Sequence, residues 1–239
     1  RGFVENSLSL FENDHTHSLS PIEEQWPKWR DTPLNAIETA ETAELLEGRE
    51  TGALKTWQSK FVKAWQNHAE VSREALMKNL GIGPEKRLIG LFNSCEDEGA
   101  YLAKQRTIIE PKEWIERTIR YFAARPEFHL IFRVHPNMAG VTGKNENFLK
   151  WLREYVETNP HSGLSVIWPG DPVNTSRLID YCELCLTLGS TVSLEAAVRG
   201  CPSLVAKRAH FYQRGFATDL ADAADYEQTL DRMIGQPIT

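Results

Sequence analysis

The stretch LCLTLGSTVSLEAAVRGCPSLVA, Leu184–Ala206, decides the fold. Leu184–Leu188 is an apolar run too short for a helix. Gly189 permits a tight exit from it, in a backbone conformation that other residues avoid. Ser190 and Thr191 are natural N-cap residues, and Val192–Arg199 continues as a helix. Gly200-Cys201-Pro202 closes that helix, and Ser203–Ala206 is apolar again. Strand, helix, strand is the signature of a parallel crossover, because parallel neighbours need a helix-sized connection. The same alternation extends upstream. Arg87–Phe92 reads as a strand and Pro111–Ala124 as a helix opened by proline, with Trp114, Ile115, Ile119 and Phe122 on one face. Phe128–Val134 is a strand, Glu146–Thr158 a helix, Leu164–Trp168 a strand and Thr175–Tyr181 a short helix. The spacing predicts an α/β fold, a Rossmann-like doubly wound parallel sheet with helices on both faces. The tail, about Ala217–Ile234, reads as helical.

Ahead of this region the pattern differs. Residues 1–34 contain Pro21, Pro27 and Pro33 with Trp26 and Trp29, and read as an irregular arm that packs on something. Two helical stretches follow, Ala36–Gly48 and Ala53–Leu80. In the second, Leu54, Trp57, Phe61, Ala64, Trp65, Ala69 and Leu76 approximate one apolar stripe. Gly81-Ile82-Gly83-Pro84 stops it. The expected division is an irregular arm and helical linker unit over 1–85, then a Rossmann-like domain over 86–239.

Composition narrows the class. The 239 residues are 41% hydrophobic and 25% charged, ordinary for a globular chain with a sizeable core. A formal net charge of -6 argues against a general nucleic-acid binder, which is usually basic. No stretch approaches the roughly 18 consecutive apolar residues of a membrane span. A cytoplasmic protein is expected, with peripheral attachment at the inner membrane face open to it. The chain begins at Arg1 with no charged-then-apolar leader, and reads as a fragment or processed form. Of the four cysteines, Cys182 and Cys185 have CxxC spacing, but no second Cys/His pair stands at finger-like spacing. Cys185 lies inside an apolar run, so inert buried thiols are expected. The His15-x-His17 pair could bind metal but reads as solvated or locally hydrogen-bonded, and no metal or other cofactor is expected to be required.

Two strand exits carry the candidate chemistry. Phe-Arg-Val-His-Pro-Asn, Phe132–Asn137, places Arg133 and His135 on one side of the pleat with Val134 on the other. Pro136 cannot continue a central strand, so the chain turns and holds His135 at the sheet's rim beside Asn137. At the second exit, Gly189, Ser190 and Thr191 offer hydroxyls and first-turn amides to an anion. Glu195 would repel a phosphate there, so it suits ribose hydroxyls or backbone amides better. Ser190 or Thr191 with Glu195 also fits helix initiation alone. Ser94-Cys-Glu-Asp-Glu98 follows the first strand, and Glu96, Asp97 and Glu98 either include a general base or form a solvated acidic loop and helix start. Asp171 and Asn174 could touch a base or cap the next helix, and capping is the reading for Asn174. Tyr212, with Arg214 and Gly215, follows the last strand and could close the site over a donor.

Arg133-Val-His-Pro-Asn137, Gly189-Ser-Thr191 with Glu195-Ala196, Gly200-Cys-Pro202, Tyr212 and Gly215 together resemble the C-terminal half of bacterial capsule and surface-polysaccharide glycosyltransferases of GT-B type. Within that group they are similar to enzymes using cytidine-activated donors: capsule Kdo transferases, bacterial sialyltransferases and teichoic-acid glycerophosphotransferases. The resemblance covers about Lys86–Arg214. It implies a nucleotide-activated sugar as substrate and a glycan or glycolipid acceptor. It assigns His135, Ser190 and Thr191 to phosphate and Glu195 to the nucleotide ribose. No N-terminal Rossmann half is recognisable, so a missing half or partner domain is expected. Transfer of a glycerol-phosphate-like unit, a non-catalytic binding or assembly module, and a sugar-nucleotide epimerase are the competing readings.

Overall fold

The computed structural model describes residues 20–51, 72–94, 107–138 and 144–235. The chain divides into two compact units, Arg1–Asn67 and His68–Thr239.

In the first unit, helix α1 spans Ser20–Trp29 and α2 spans Ala36–Thr51. Helix α1 replaces the irregular arm expected there. Pro27 sits in its last turn, so it removes a backbone donor only where the helix is about to end. Helix α2 begins at a reciprocal cap. The Asn35 side-chain oxygen accepts from the Ile37 and Glu38 amides at 2.9 and 3.0 Å, while Glu38 accepts from the Asn35 amide at 2.8 Å. The aromatic stripe from Leu54 to Ala69 lies outside the described residues. The described end of that expected helix is α3, Arg73–Asn79, capped by the Ser72 hydroxyl.

The second unit is built on strands β1 (Arg87–Phe92), β2 (Phe128–Arg133), β3 (Leu164–Ile167), β4 (Leu184–Thr187), β5 (Ser203–Val205) and β6 (Thr218–Asp219). All pair in parallel, in the order β3-β2-β1-β4-β5-β6. Between them run α4 (Pro111–Ala123), α5 (Lys144–Thr158), α6 (Thr175–Tyr181) and α7 (Val192–Val198), and α8 (Tyr226–Ile234) closes the described chain. The tail was expected to be helical from Ala217. A two-residue edge strand and a 3-10 turn at Ala223–Asp225 occupy its first part, and a strand that short leaves no alternation to read.

Alternate residues of each strand feed two cores. Ile89 and Leu91, with Leu130 and Phe132, Leu184 and Leu186, and Leu204, pack against Trp114, Ile115 and Phe122 of α4, Phe148 and Leu152 of α5, and Tyr226 and Leu230 of α8. Leu88 and Phe92, with Ile131, Ile167 and Cys185, meet Leu76 and Met77 of α3, Leu178 and Ile179 of α6, and Ala196 of α7. Both faces are covered, which is why the strands read as near-continuous apolar runs. Gly90 is required by packing: a Cβ there would lie 2.5 Å from the Phe92 ring and 3.0 Å from Cys182 Sγ. Helix α8 is fixed to α4 by polar contacts. Tyr121 donates to Asp231 at 2.5 Å, the Thr118 and Tyr226 hydroxyls meet at 2.6 Å, and Arg117 pairs with Glu227.

Candidate functional site at the β1–β4 crevice

The strand order reverses direction between β1 and β4, where successive connections leave to opposite sides of the sheet. A crevice forms at the carboxyl ends of the strands at such a point, and ligands of open α/β sheets bind there. The exits of β1, β2 and β4 are tied together at that rim. Asn93, 3% exposed, accepts from the His135 amide at 2.9 Å. It also donates to the Ser94 carbonyl at 3.1 Å and to the Met138 sulfur at 3.4 Å. Ser94 donates to the Leu188 carbonyl at 3.2 Å. His135 is half-buried, and Pro136–Met138 forms the 3-10 turn that the proline demanded, with Asn137 within it.

Gly189 takes φ +78°, and a Cβ there would stand 3.3 Å from that of Ala209. Only glycine combines that conformation with that approach. The turn that follows is set by Ser190, whose hydroxyl accepts from the Val192 amide at 3.3 Å. Thr191, the N-cap itself, has helical backbone angles and makes no side-chain capping bond. Thr187 and Ser193 share a buried hydroxyl contact of 2.8 Å, pinning α7 to the strand it leaves. Glu195 is half-buried, and Ser176 of α6 donates to its carboxylate at 3.3 Å.

The remaining candidates are placed differently. Arg133 is 1% exposed and donates to the Trp168 carbonyl at 2.6 Å and the Val173 carbonyl at 3.5 Å. Its charge lies under the rim and braces the loop after β3. Burial lowers its pKa to about 10, opposed by nearby Asp171. Asn174 caps α6, accepting from the Ser176 and Arg177 amides, and Asp171 accepts from the Trp168 amide at 2.7 Å. Tyr212 is half-buried in the turn after β5, with the Arg208 guanidinium 5.8 Å from its ring centre. In that turn Gln213 adopts φ +57° and donates its amide to Asp219 at 2.8 Å, while burial raises the Asp219 pKa. Glu96, Asp97 and Glu98 lie outside the described residues. The positions flanking them are anchored at one rim: Ser94 on Leu188, and Thr107 through an antiparallel bridge to Lys207.

Two features were not singled out in the sequence. Asn93 braces the β1 and β2 exits, and its only signal is a polar residue directly after a buried strand. A groove of about 620 Å³ runs between α5 and the loop after β3, lined by Met138, Leu149, Lys150, Arg153, Trp168 and Asp171. The Arg153 guanidinium sits 4.2 Å from the Trp168 ring centre. Among the described residues there is no metal-binding cluster, and no helix is long and apolar enough to cross a membrane.

No protein-family model and no curated protein matches the sequence. Solved structures do. The beta Kdo 2,4 transferase of Thermosulfurimonas dismutans KpsC matches 81% of this chain with a TM-score of 0.52 at 12% identity. A UDP-GlcNAc 2-epimerase of Methanocaldococcus jannaschii, solved with UDP-GlcNAc and UDP, matches 70% of this chain with a TM-score of 0.48 at 13% identity. The chain spans about half the length of the first, 52%, and 42% of the second. The fold is thus the Rossmann-like α/β fold found in glycosyltransferases of GT-B type.

Proposed function

We propose that the sheet unit is the donor-binding half of a glycosyltransferase that takes a sugar from a nucleotide-activated donor, cytidine-linked, to a bacterial surface or capsular glycan. The observation that carries this is the joining of the β1, β2 and β4 exits at the switch point, where Asn93 holds the His135 backbone and Ser94 holds that of Leu188. The likeness in fold to a Kdo transferase supports the class of reaction.

In this reading the donor phosphates lie between His135 and the Gly189–Thr191 turn. The imidazole and the turn's amides stabilise the negative charge that grows on the leaving nucleotide, because preorganised donors need no rearrangement as the bond breaks. Glu195, steadied by Ser176, takes the ribose hydroxyls. Arg133 acts at one remove, holding the loop after β3 in place through its carbonyls. The acceptor hydroxyl gives its proton to a carboxylate among Glu96, Asp97 and Glu98. Tyr212 closes over the donor from the β5 side.

Calorimetric titration with CMP, CDP, UMP, UDP and GDP, on wild type and His135→Ala, tests this. Cytidine nucleotides are expected to bind, and the variant to bind roughly 10- to 100-fold more weakly, the worth of a hydrogen bond to a charged group. A preference for uridine or guanosine would discard the cytidine donor and keep the transferase. Absence of any nucleotide binding would overturn the site.

A further inference from the structure

Three thiols converge behind the candidate site. Cys182 follows α6, Cys185 lies in β4, and Cys201 follows α7. The sequence pairs Cys182 with Cys185 by CxxC spacing; the fold keeps Cys182 within hydrogen-bonding reach of Cys185 and also sets Cys185 Sγ 3.5 Å from Cys201 Sγ. Cys185 is fully buried, whereas Cys201 is 8% exposed and precedes the exposed Pro202. The Cys201 thiol also lies 3.2 Å from the Cys182 carbonyl and 3.6 Å from that of Pro202.

We propose that Cys185 and Cys201 are a redox modification site, closing to a reversible disulfide when the protein meets a peroxide. Geometry favours this pair: their sulfurs are in contact, and about 1.5 Å of approach brings them to bonding distance. The roles follow from the surroundings. A hydrogen bond from Cys185 favours the Cys201 thiolate and lowers its pKa, against its burial and the nearby Asp180. Hydrogen bonding with Cys182 and Cys201, together with burial, raises that of Cys185. Cys201, the less buried of the two, is the sulfur that reacts first with oxidant, and Cys185 resolves it.

The Cys201 thiolate attacks one peroxide oxygen. The O–O bond breaks, hydroxide leaves and takes a proton from solvent, and a sulfenic acid remains. Cys185 then loses its proton, and its sulfur attacks Cys201 Sγ. The S–O bond breaks and the oxygen departs as water. Two electrons have passed from the thiols to the peroxide, and a small-molecule thiol reverses the bond by exchange. The closed ring would span Cys185–Cys201 and enclose both the Gly189–Thr191 turn and all of α7.

The test is hydrogen peroxide titration of the native chain, followed by non-reducing digestion and mass spectrometry. The expected product is a Cys185–Cys201 cross-link, short of two hydrogens and reversed by dithiothreitol. Cys182→Ser should leave it intact. Cys185→Ser should stop Cys201 at a sulfenic acid trapped by dimedone. The thermal midpoint should rise by several degrees on oxidation of wild type and not of Cys185→Ser. Links to Cys95 or Cys182 in place of this one, overoxidised Cys201 without a link, or thiols that react only after unfolding would each overturn the proposal.

Discussion

At the residue scale the site depends on two positions that bear no charge. Gly189 holds a left-handed backbone with Ala209 close by. Gly189→Ala should cost about 1–2 kcal/mol, since an L side chain is strained there, and lower the melting temperature accordingly. Nucleotide binding, measured by calorimetry, should fall further than that stability loss explains. Asn93 is the second position. Asn93→Ala leaves the His135 amide without its acceptor and should cost about 1–3 kcal/mol. Urea unfolding should show it as a lower midpoint with an unchanged slope. The glycine was legible in the sequence, because a glycine directly after an apolar run permits a tight exit in a backbone conformation other residues avoid. Asn93 was not, since nothing in a local pattern reveals that a second strand's exit will reach it. The depth of Arg133 was not legible either: the loop after β3 covers the guanidinium and turns it into a brace.

At the scale of elements, β2 carries a group that senses pH. His129 is buried, contacts the Ser165 hydroxyl at 2.8 Å, and is faced by Lys86 and His161. Burial, then the Lys86 charge, then His161 lower its pKa from 6.5 to about 4. The folded state thus binds this proton less readily than the unfolded chain. Its contribution to stability is complete above pH 6.5 and drains away as pH falls toward 4. Thermal melts across that window should show wild type losing stability faster than His129→Gln, with the two curves parallel above it. Parallel curves throughout would sink the assignment. Most elements were legible to within a residue or two because the central strands β1, β2 and β4 are buried on both faces and the long connecting helices are amphipathic. Helix α1 was obscured by its prolines, one of which the last turn absorbs. The edge strand β6 was hidden by its length of two residues.

At the scale of the molecule, His68–Thr239 has its own sheet and its own buried apolar clusters. A chain beginning at His68 should fold by itself and melt in one cooperative transition, within a few degrees of the corresponding transition in the full chain. Circular dichroism would check this, and a broad, non-cooperative melt would contradict it. The parallel character of the sheet was readable from strand–helix–strand lengths. The order of its strands was not, because pairing partners far apart in sequence leave no local trace. That shared strand direction has a consequence for how the protein tolerates change. Every element that surfaces beside the crevice must return to the opposite edge, through turns near Arg125, Gly163, Glu183 and Pro202. Those turns lie a strand's length from the crevice. An inserted tag or a lengthened turn there would cost chiefly loop-closure entropy, which makes that edge the place to attach a probe and watch the other at work.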